Sequence, residues 1–139
     1  ATAGDESVTF TGPLPRADAL SWLAAADVAV VPSRWEGMAL VPLEALALGT
    51  PVVGSDVTGL REAVSANVGD LVEPDQPQTL AEALAHWLSI EPGLSTTVRD
   101  AARGRAASLF SLDATVAAID HALRDVLIRR AGDVSDRRN

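Results

Sequence analysis

Apolar and polar positions follow one another as short strand-like runs and longer helical stripes, in regular alternation. Val8-Thr9-Phe10-Thr11 has the pattern of a short strand, stopped by Gly12-Pro13. Ala17 to Ala25 reads as a short amphipathic helix with Leu20 and Leu23 on one face, and with Trp22 nearby as a core candidate. Val28-Ala29-Val30-Val31 is apolar at every position, the mark of a strand covered on both faces. Pro42 to Leu48 reads as a helix with Pro in its first turn and Gly49 at its end. Pro51 to Ser55 is the next strand, and Gly59 opens a loop into a short helix at Arg61 to Val64. Gly69 to Glu73 is a further strand. A turn at Pro74-Asp75 then leads into a helix from Gln78 to Leu88, with Leu80, Leu84, Trp87 and Leu88 at helical spacing. Helices from Leu94 to Ala107 and from Leu112 to Arg130 complete the series. The last carries Val116, Ile119, Leu123, Val126 and Leu127 on one stripe.

Strands that alternate with helices predict an α/β domain, a Rossmann-like parallel sheet with flanking helices. Four strand candidates are few for such a sheet, and the first comes almost at the start, so the sheet reads as lacking its opening strands. One partial domain over 1–131 and a polar, disordered tail over 132–139 are expected. No internal repeat or low-complexity linker interrupts it.

Composition narrows the chemistry. The 139-residue length can bury a core, and 47% apolar residues is ordinary for a soluble domain. There is no cysteine, so disulfides, thiolate metal sites and cysteine nucleophiles are excluded. His86 and His121 both lie in helical patterns, which gives no support to a histidine metal cluster. The net charge of −8 argues against nucleic acid or an anionic membrane as the main partner. The basic cluster of Arg129-Arg130 with Arg137-Arg138 reads as a solvated, frayed end. The apolar runs are broken well before the roughly 18 residues of a spanning helix. The start, from Ala1 to Glu6, has neither the positive charge nor the apolar stretch of a signal peptide, and the absence of Met predicts a piece of a longer protein.

The candidate chemistry lies in Glu36-Gly37-Met38-Ala39-Leu40-Val41-Pro42-Leu43-Glu44. Two carboxylates with seven residues between them stand between the end of a parallel strand and the start of a helix. Ligands of open α/β sheets bind outside the carboxyl ends of the strands. Considered alone, Glu44 reads as a carboxylate complementing its own helix dipole, and the alternative for Glu36 is a solvent-exposed loop residue.

The ordered series around this pair resembles the nucleotide-sugar-binding, C-terminal domain of the retaining glycosyltransferases of family 4, which have the GT-B fold. The matching string begins with Val8-Thr9-Phe10-Thr11-Gly12, Ala26-Asp27-Val28, Pro32-Ser33 and Glu36-Gly37. It continues through Glu44-Ala45, Ala47 to Val53, Ser55-Asp56, Gly59, Glu62, Gly69 and Leu71-Val72. It covers about residues 8 to 90, with a looser helical match to about 130. Each piece alone is weak; the whole series in order is specific.

The resemblance implies that Glu44 accepts hydrogen bonds from the ribose hydroxyls. It implies that Glu36 stands beside the donor sugar as the catalytic-site residue, and that the backbone of Gly37, Met38, Ala39, Leu40 and Val41 faces the pyrophosphate and sugar. A carboxylate is an acceptor suited to paired hydroxyls, and a helix start with open N–H groups favours an anion. One tension accompanies this: Glu44 is placed in the first helical turn, near the pyrophosphate, and must point toward the ribose. The family uses no cofactor and no bound metal, only the nucleotide diphosphate sugar. It has an acceptor-binding N-terminal domain and upstream basic residues, neither of which is in this chain. Its setting is cytoplasmic, with membrane association carried by the missing N-terminal domain.

The chain departs from the family at Met38-Ala39, where an aromatic-Gly pair is common, and at Leu112, where many members carry Trp. Arg34 reads as a surface residue, Glu62 as a cap on the short helix after it, and Asp27 and Asp56 as turn residues. Trp87 and Trp22 read as core, leaving Trp35 as the tryptophan near the site. Three readings stand: the donor-binding part of a glycosyltransferase acting with retention; a non-catalytic nucleotide-sugar-binding module; and a homo-oligomer formed through the open sheet edge.

Overall fold

A computed structural model describes residues 7–37, 40–90 and 92–136, and within the helices it describes no side chain at 92–94 or 129–136. The elements run α1 (Arg16–Ala25), β1 (Ala29–Val31), α2 (Leu40–Leu48), β2 (Val52–Ser55), α3 (Thr58–Arg61), β3 (Gly69–Val72), α4 (Pro77–Leu88), α5 (Pro92–Phe110) and α6 (Leu112–Asp136). The sheet has the order β1-β2-β3, and both pairings are parallel. Ala29 stands opposite Val52, and Val52 opposite Gly69. The α/β class and its parallel sheet with flanking helices are therefore as expected.

Every residue of β2 is buried. Successive residues of a strand point to opposite faces, so the sheet is covered on both sides at its centre. Leu46 of α2, Leu60 of α3, Val52 of β2 and Val68 before β3 are fully buried and form the middle of one apolar cluster with Ala102 and Ala106 of α5.

The ends of α2 show how local sequence sets these elements. The helix starts at Leu40, two residues before the expected Pro42. The first four N–H groups of a helix have no partner inside it, so Pro42 at the third position breaks no helical bond. At the other end Gly49 takes φ +88°, a left-handed conformation that suits glycine. Its N–H donates to the Leu46 carbonyl at 2.9 Å, and the Thr50 N–H donates to Ala45 at 2.8 Å. These two bonds close the helix as a Schellman motif. Thr50 is itself buried and donates through Oγ1 to the Leu23 carbonyl at 2.6 Å, which ties α1 to the start of β2.

α5 closes three other chain ends with arginines. Arg99 donates to the Ala26 carbonyl just after α1 (3.1 Å), Arg103 to Leu48 at the end of α2 (3.3 Å), and Arg105 to Glu62 and Ala63 after α3 (2.7 and 3.0 Å). Cations near helix carboxyl ends meet both open carbonyls and the negative end of the dipole.

Four expectations are corrected. Val8 to Thr11 is not a strand: among the described residues the sheet has three strands, and without a neighbour to accept its backbone hydrogen bonds this segment stays irregular, with Phe10 79% exposed. The short helix after β2 is α3 at Thr58–Arg61, earlier than Arg61 to Val64. Glu62 is accordingly the residue that ends α3, not a cap on a later helix. Trp22 is 62% exposed, because α1 turns Leu23 toward the core and Trp22 stands a hundred degrees around the helix from it.

The segment expected to be a polar tail is helical as far as Asp136, since one interior glycine, Gly132, costs a helix only about 1 kcal/mol. Residues 137–139 lie outside the described residues. Val116, Ile119, Leu123, Val126 and Leu127, the stripe read along α6, are all exposed.

Leu46→Ala is expected to lower the unfolding free energy by about 2–5 kcal/mol, because a fully buried side chain leaves a cavity. Leu123→Ala, on the exposed stripe, is expected to change it by less than about 0.5 kcal/mol. Urea unfolding followed by circular dichroism measures both; equal effects would contradict the placement of the core.

Candidate functional site

Because the three strands are parallel, the chain leaves all of them at one end of the sheet. After β1 comes Pro32 to Gly37; after β2, Asp56-Val57; after β3, Glu73 to Gln76. The loops are tied to one another by specific bonds. The Gly59 N–H in the first turn of α3 donates to the Glu36 carbonyl at 3.1 Å. Arg34 Nε meets Asp75 Oδ1 at 2.9 Å, joining the first loop to the third. The Asp56 N–H donates to the Val72 carbonyl at 2.7 Å, joining the second loop to the end of β3. Asp75 holds φ +60°, in the left-handed region that Asp tolerates better than most residues.

Between these loops lies a cleft of ≈ 390 Å³, lined in part by Pro32, Ser55, Val72, Glu73 and Gln76. It sits at the carboxyl ends of all three strands, the position at which open α/β sheets take ligands.

Glu36 is half-buried at the mouth of the first loop, and Ser33 Oγ donates to its Oε1 at 2.9 Å. Among the described residues a Cβ added at Gly37 would meet nothing nearer than Trp35 Cη2 at 3.8 Å, so no contact with them requires glycine there. Trp35 is 81% exposed beside Glu36. Leu40 and Val41 open α2 and are both exposed. Met38 and Ala39 lie outside the described residues.

Glu44 is the fifth residue of α2, and no acidic residue occupies the first turn. The placement of Glu44 in the first turn is thus corrected, for the helix begins earlier than Pro42 alone suggests. Its distance from the helix start also weakens the reading of Glu44 as a simple dipole partner, an effect confined to the first turn. Arg16 Nη2 meets Glu44 Oε1 at 2.6 Å. The pair faces a groove of ≈ 670 Å³ between α2 and α5, lined also by Leu40, Leu43 and Phe110. Glu36 and Glu44 thus stand on one loop-and-helix unit without lining a common cavity.

Arg34, read as a surface residue, is exposed and engaged with Asp75. Asp56, read as a turn residue, accepts from Arg61 Nε at 2.6 Å. The Arg61 hydrogen bond holds the Asp56 carboxyl below its usual range; desolvation opposes this, and the attraction of the Arg61 charge adds to it. Among the described residues no group of three or more His, Asp or Glu is arranged to hold a metal ion, and no helix is long and apolar enough to cross a membrane.

Reading the sequence alone missed the tie between Gly59 and Glu36, and the carboxylate-holding role of Ser33. Ser33 three residues before Glu36 is a visible spacing. The Gly59 contact spans two loops, and nothing local announces it.

A crevice at the carboxyl ends of a parallel sheet, beside a carboxylate-bearing loop, is the arrangement in which open α/β domains take ligands. Residues 1–89 match the family described as Glycosyl transferases group 1, and the chain belongs to that family. Its relatives include D-inositol 3-phosphate glycosyltransferases. The one from Mycolicibacterium vanbaalenii is 38% identical over 136 residues, 95% of this chain and 30% of the relative. That from Streptosporangium roseum is 45% identical over 82 residues, 58% of this chain and 19% of the relative. The lipopolysaccharide core biosynthesis mannosyltransferase LpsB of Rhizobium meliloti is 39% identical over 77 residues, 53% of this chain and 22% of the relative. Among solved structures, sucrose-phosphate synthase from Thermosynechococcus elongatus aligns with a TM-score of 0.72 at 33% identity, over 88% of this chain and 31% of that one. The fold is that of a GT-B glycosyltransferase, and the chain spans less than a third of the length of the relatives it matches.

The Asp56–Arg61 pair predicts a pH dependence. A carboxyl whose folded pKa lies below its unfolded value stabilises the fold above the unfolded pKa, about 3.9 for Asp, and loses that effect as pH falls through the folded value. Arg61→Ala is expected to lower the urea midpoint at pH 7, with its difference from the parent shrinking as the pH drops below about 4. A difference that is unchanged at pH 3 would contradict the pairing.

Proposed function

We propose that this chain is the donor-binding part of a glycosyltransferase that moves a sugar from a nucleotide diphosphate sugar to an acceptor with retention. The observation that carries this reading is the unit from Pro32 to Glu44. It leaves the carboxyl end of β1, presents Glu36 on a loop tied by Ser33 and Gly59, and enters α2 at Leu40. Glu36 is the residue beside the donor sugar, where its acceptor oxygens fix sugar hydroxyls and steady charge near the anomeric carbon. The pyrophosphate is assigned to the stretch from Gly37 through Leu40 and Val41, with the roles of Met38 and Ala39 resting on the sequence resemblance alone. The open N–H groups at the start of the nine-residue α2 favour an anion there. That no described residue requires glycine at Gly37 fits a backbone approached by a ligand.

Glu44 takes the ribose hydroxyls. The tension between its charge and the pyrophosphate is eased by Arg16, which offsets the carboxylate. Catalysis in such a site consists of holding the donor and stabilising the departing diphosphate, with no metal or cofactor called for. The relatives' names differ in what receives the sugar, so only the donor side is assigned to this segment. The acceptor belongs to an N-terminal domain outside it, and the setting of the whole enzyme is cytoplasmic.

Calorimetry with UDP, GDP, UDP-glucose and GDP-mannose tests the reading. One nucleotide series is expected to bind, and Glu44→Ala to weaken it roughly tenfold or more, the loss of hydrogen bonds to a charged group. No binding at millimolar ligand would overturn it.

A second reading, self-association, is favoured by one observation. β1 is an edge strand whose outer side carries no strand among the described residues, and an unpaired edge invites pairing. Light scattering is expected to show a mass that rises with concentration; a constant monomer mass would remove this reading.

A further inference from the structure

We propose that Ser33 and Gly59 are positioning residues for Glu36, and that the preference of the site for a sugar-bearing nucleotide over the bare nucleoside diphosphate depends on them. The inference rests on the donor-binding reading above and adds what makes Glu36 selective.

A glutamate on a loop has three side-chain torsions to fix before it can hold a ligand. Fixing them on binding lowers affinity by roughly tenfold. Here the ordering is already present. Ser33 Oγ donates to Oε1 of Glu36 at 2.9 Å and in doing so sets the carboxylate plane. That bond occupies one oxygen. Oε2 has no protein partner among the described residues and is left to accept from a ligand hydroxyl. Ser33 is in turn held at the end of β1, two residues after the buried Val31.

The backbone of Glu36 is fixed from another strand. The Gly59 N–H donates to the Glu36 carbonyl at 3.1 Å. Gly59 has no left-handed φ; glycine is needed because a Cβ there would overlap the Gly37 carbonyl and stand 2.9 Å from the Glu36 carbonyl oxygen. Its neighbour Leu60 is fully buried, so α3 cannot easily retreat to make room. β1 holds the side chain through Ser33, and β2, through α3, holds the main chain through Gly59. Both constraints converge on Glu36, and neither reaches Glu44, which pairs with Arg16 on α1. The two carboxylates are therefore set independently, and a defect at Ser33 should be felt at the sugar and not at the ribose.

The test compares affinities of the 139-residue chain for UDP against UDP-glucose and for GDP against GDP-mannose, by calorimetry. The parent is expected to bind the sugar-bearing member of its nucleotide pair more tightly. Ser33→Ala should reduce that preference about fivefold while leaving the bare nucleotide within about twofold, as expected for one lost hydrogen bond. Ser33→Thr keeps the hydroxyl and should restore the preference. Gly59→Ala should abolish it by displacing the Glu36–Gly37 loop. If Gly59→Ala fails to fold, the two Ser33 variants decide.

A preference that survives Ser33→Ala would overturn the inference. So would parallel weakening of both ligands, or a threonine variant that behaves like alanine. A parent that binds the nucleotide yet does not distinguish the sugar overturns the inference and leaves the nucleotide-binding reading standing; a parent that binds neither overturns both.

Discussion

Parallel pairing of β2 with a neighbour on each side requires the chain to leave β1, β2 and β3 at the same end of the sheet. A strand buried along its whole length cannot shift its register without moving apolar residues on both faces at once. The loops that carry Glu36, Gly59 and Asp75 thus begin from fixed points, with neighbouring strands roughly 5 Å apart and β1 and β3 roughly 10 Å apart across β2. Bonds between loops that are distant in sequence, such as Arg34 with Asp75, become short-range contacts as a result.

The site region holds acidic groups in a chain that is acidic overall, yet three of its carboxylates are offset locally by arginines, while Glu36 accepts from the Ser33 hydroxyl. Arg16 meets Glu44, Arg34 meets Asp75 and Arg61 meets Asp56. The arginine of each pair is exposed, which keeps the contribution of the pair to stability modest. Their combined effect is on the local field, which is less hostile to a diphosphate than the net charge of −8 suggests. Net charge describes the whole surface, while a bound anion responds to groups within about one Debye length, roughly 8 Å.

Much of the architecture is legible in the residues themselves, because the buried strands and long helices announce their own burial. Val52-Val53 and the Val28 to Val31 run carry unbroken apolar character, and Pro42 with Gly49 brackets α2. What is not legible depends on partners. Val8 to Thr11 has the composition of a strand, but pairing is a property of two segments, and none lies beside it among the described residues. Trp22 has the size of a core residue and sits one position from the face that is covered. At the site, the Glu36–Glu44 spacing marks the loop and helix. The start of α2 at Leu40 moves Glu44 out of the first turn, and its Arg16 partner comes from a different helix. Gly59 reads from sequence as a loop glycine; its contact with the Glu36–Gly37 carbonyls exists only after α3 has packed.

The family match ends at residue 89, before α5 begins at Pro92. Yet Arg99, Arg103 and Arg105 of α5 reach back to the carboxyl ends of α1, α2 and α3. Ala102 and Ala106 of the same helix lie inside the apolar cluster. The stretch that defines the family by likeness is therefore smaller than the packed unit of the structure. A boundary drawn at the end of the match would strip the splint from three helices at once, and any boundary that keeps it has to lie beyond Arg105.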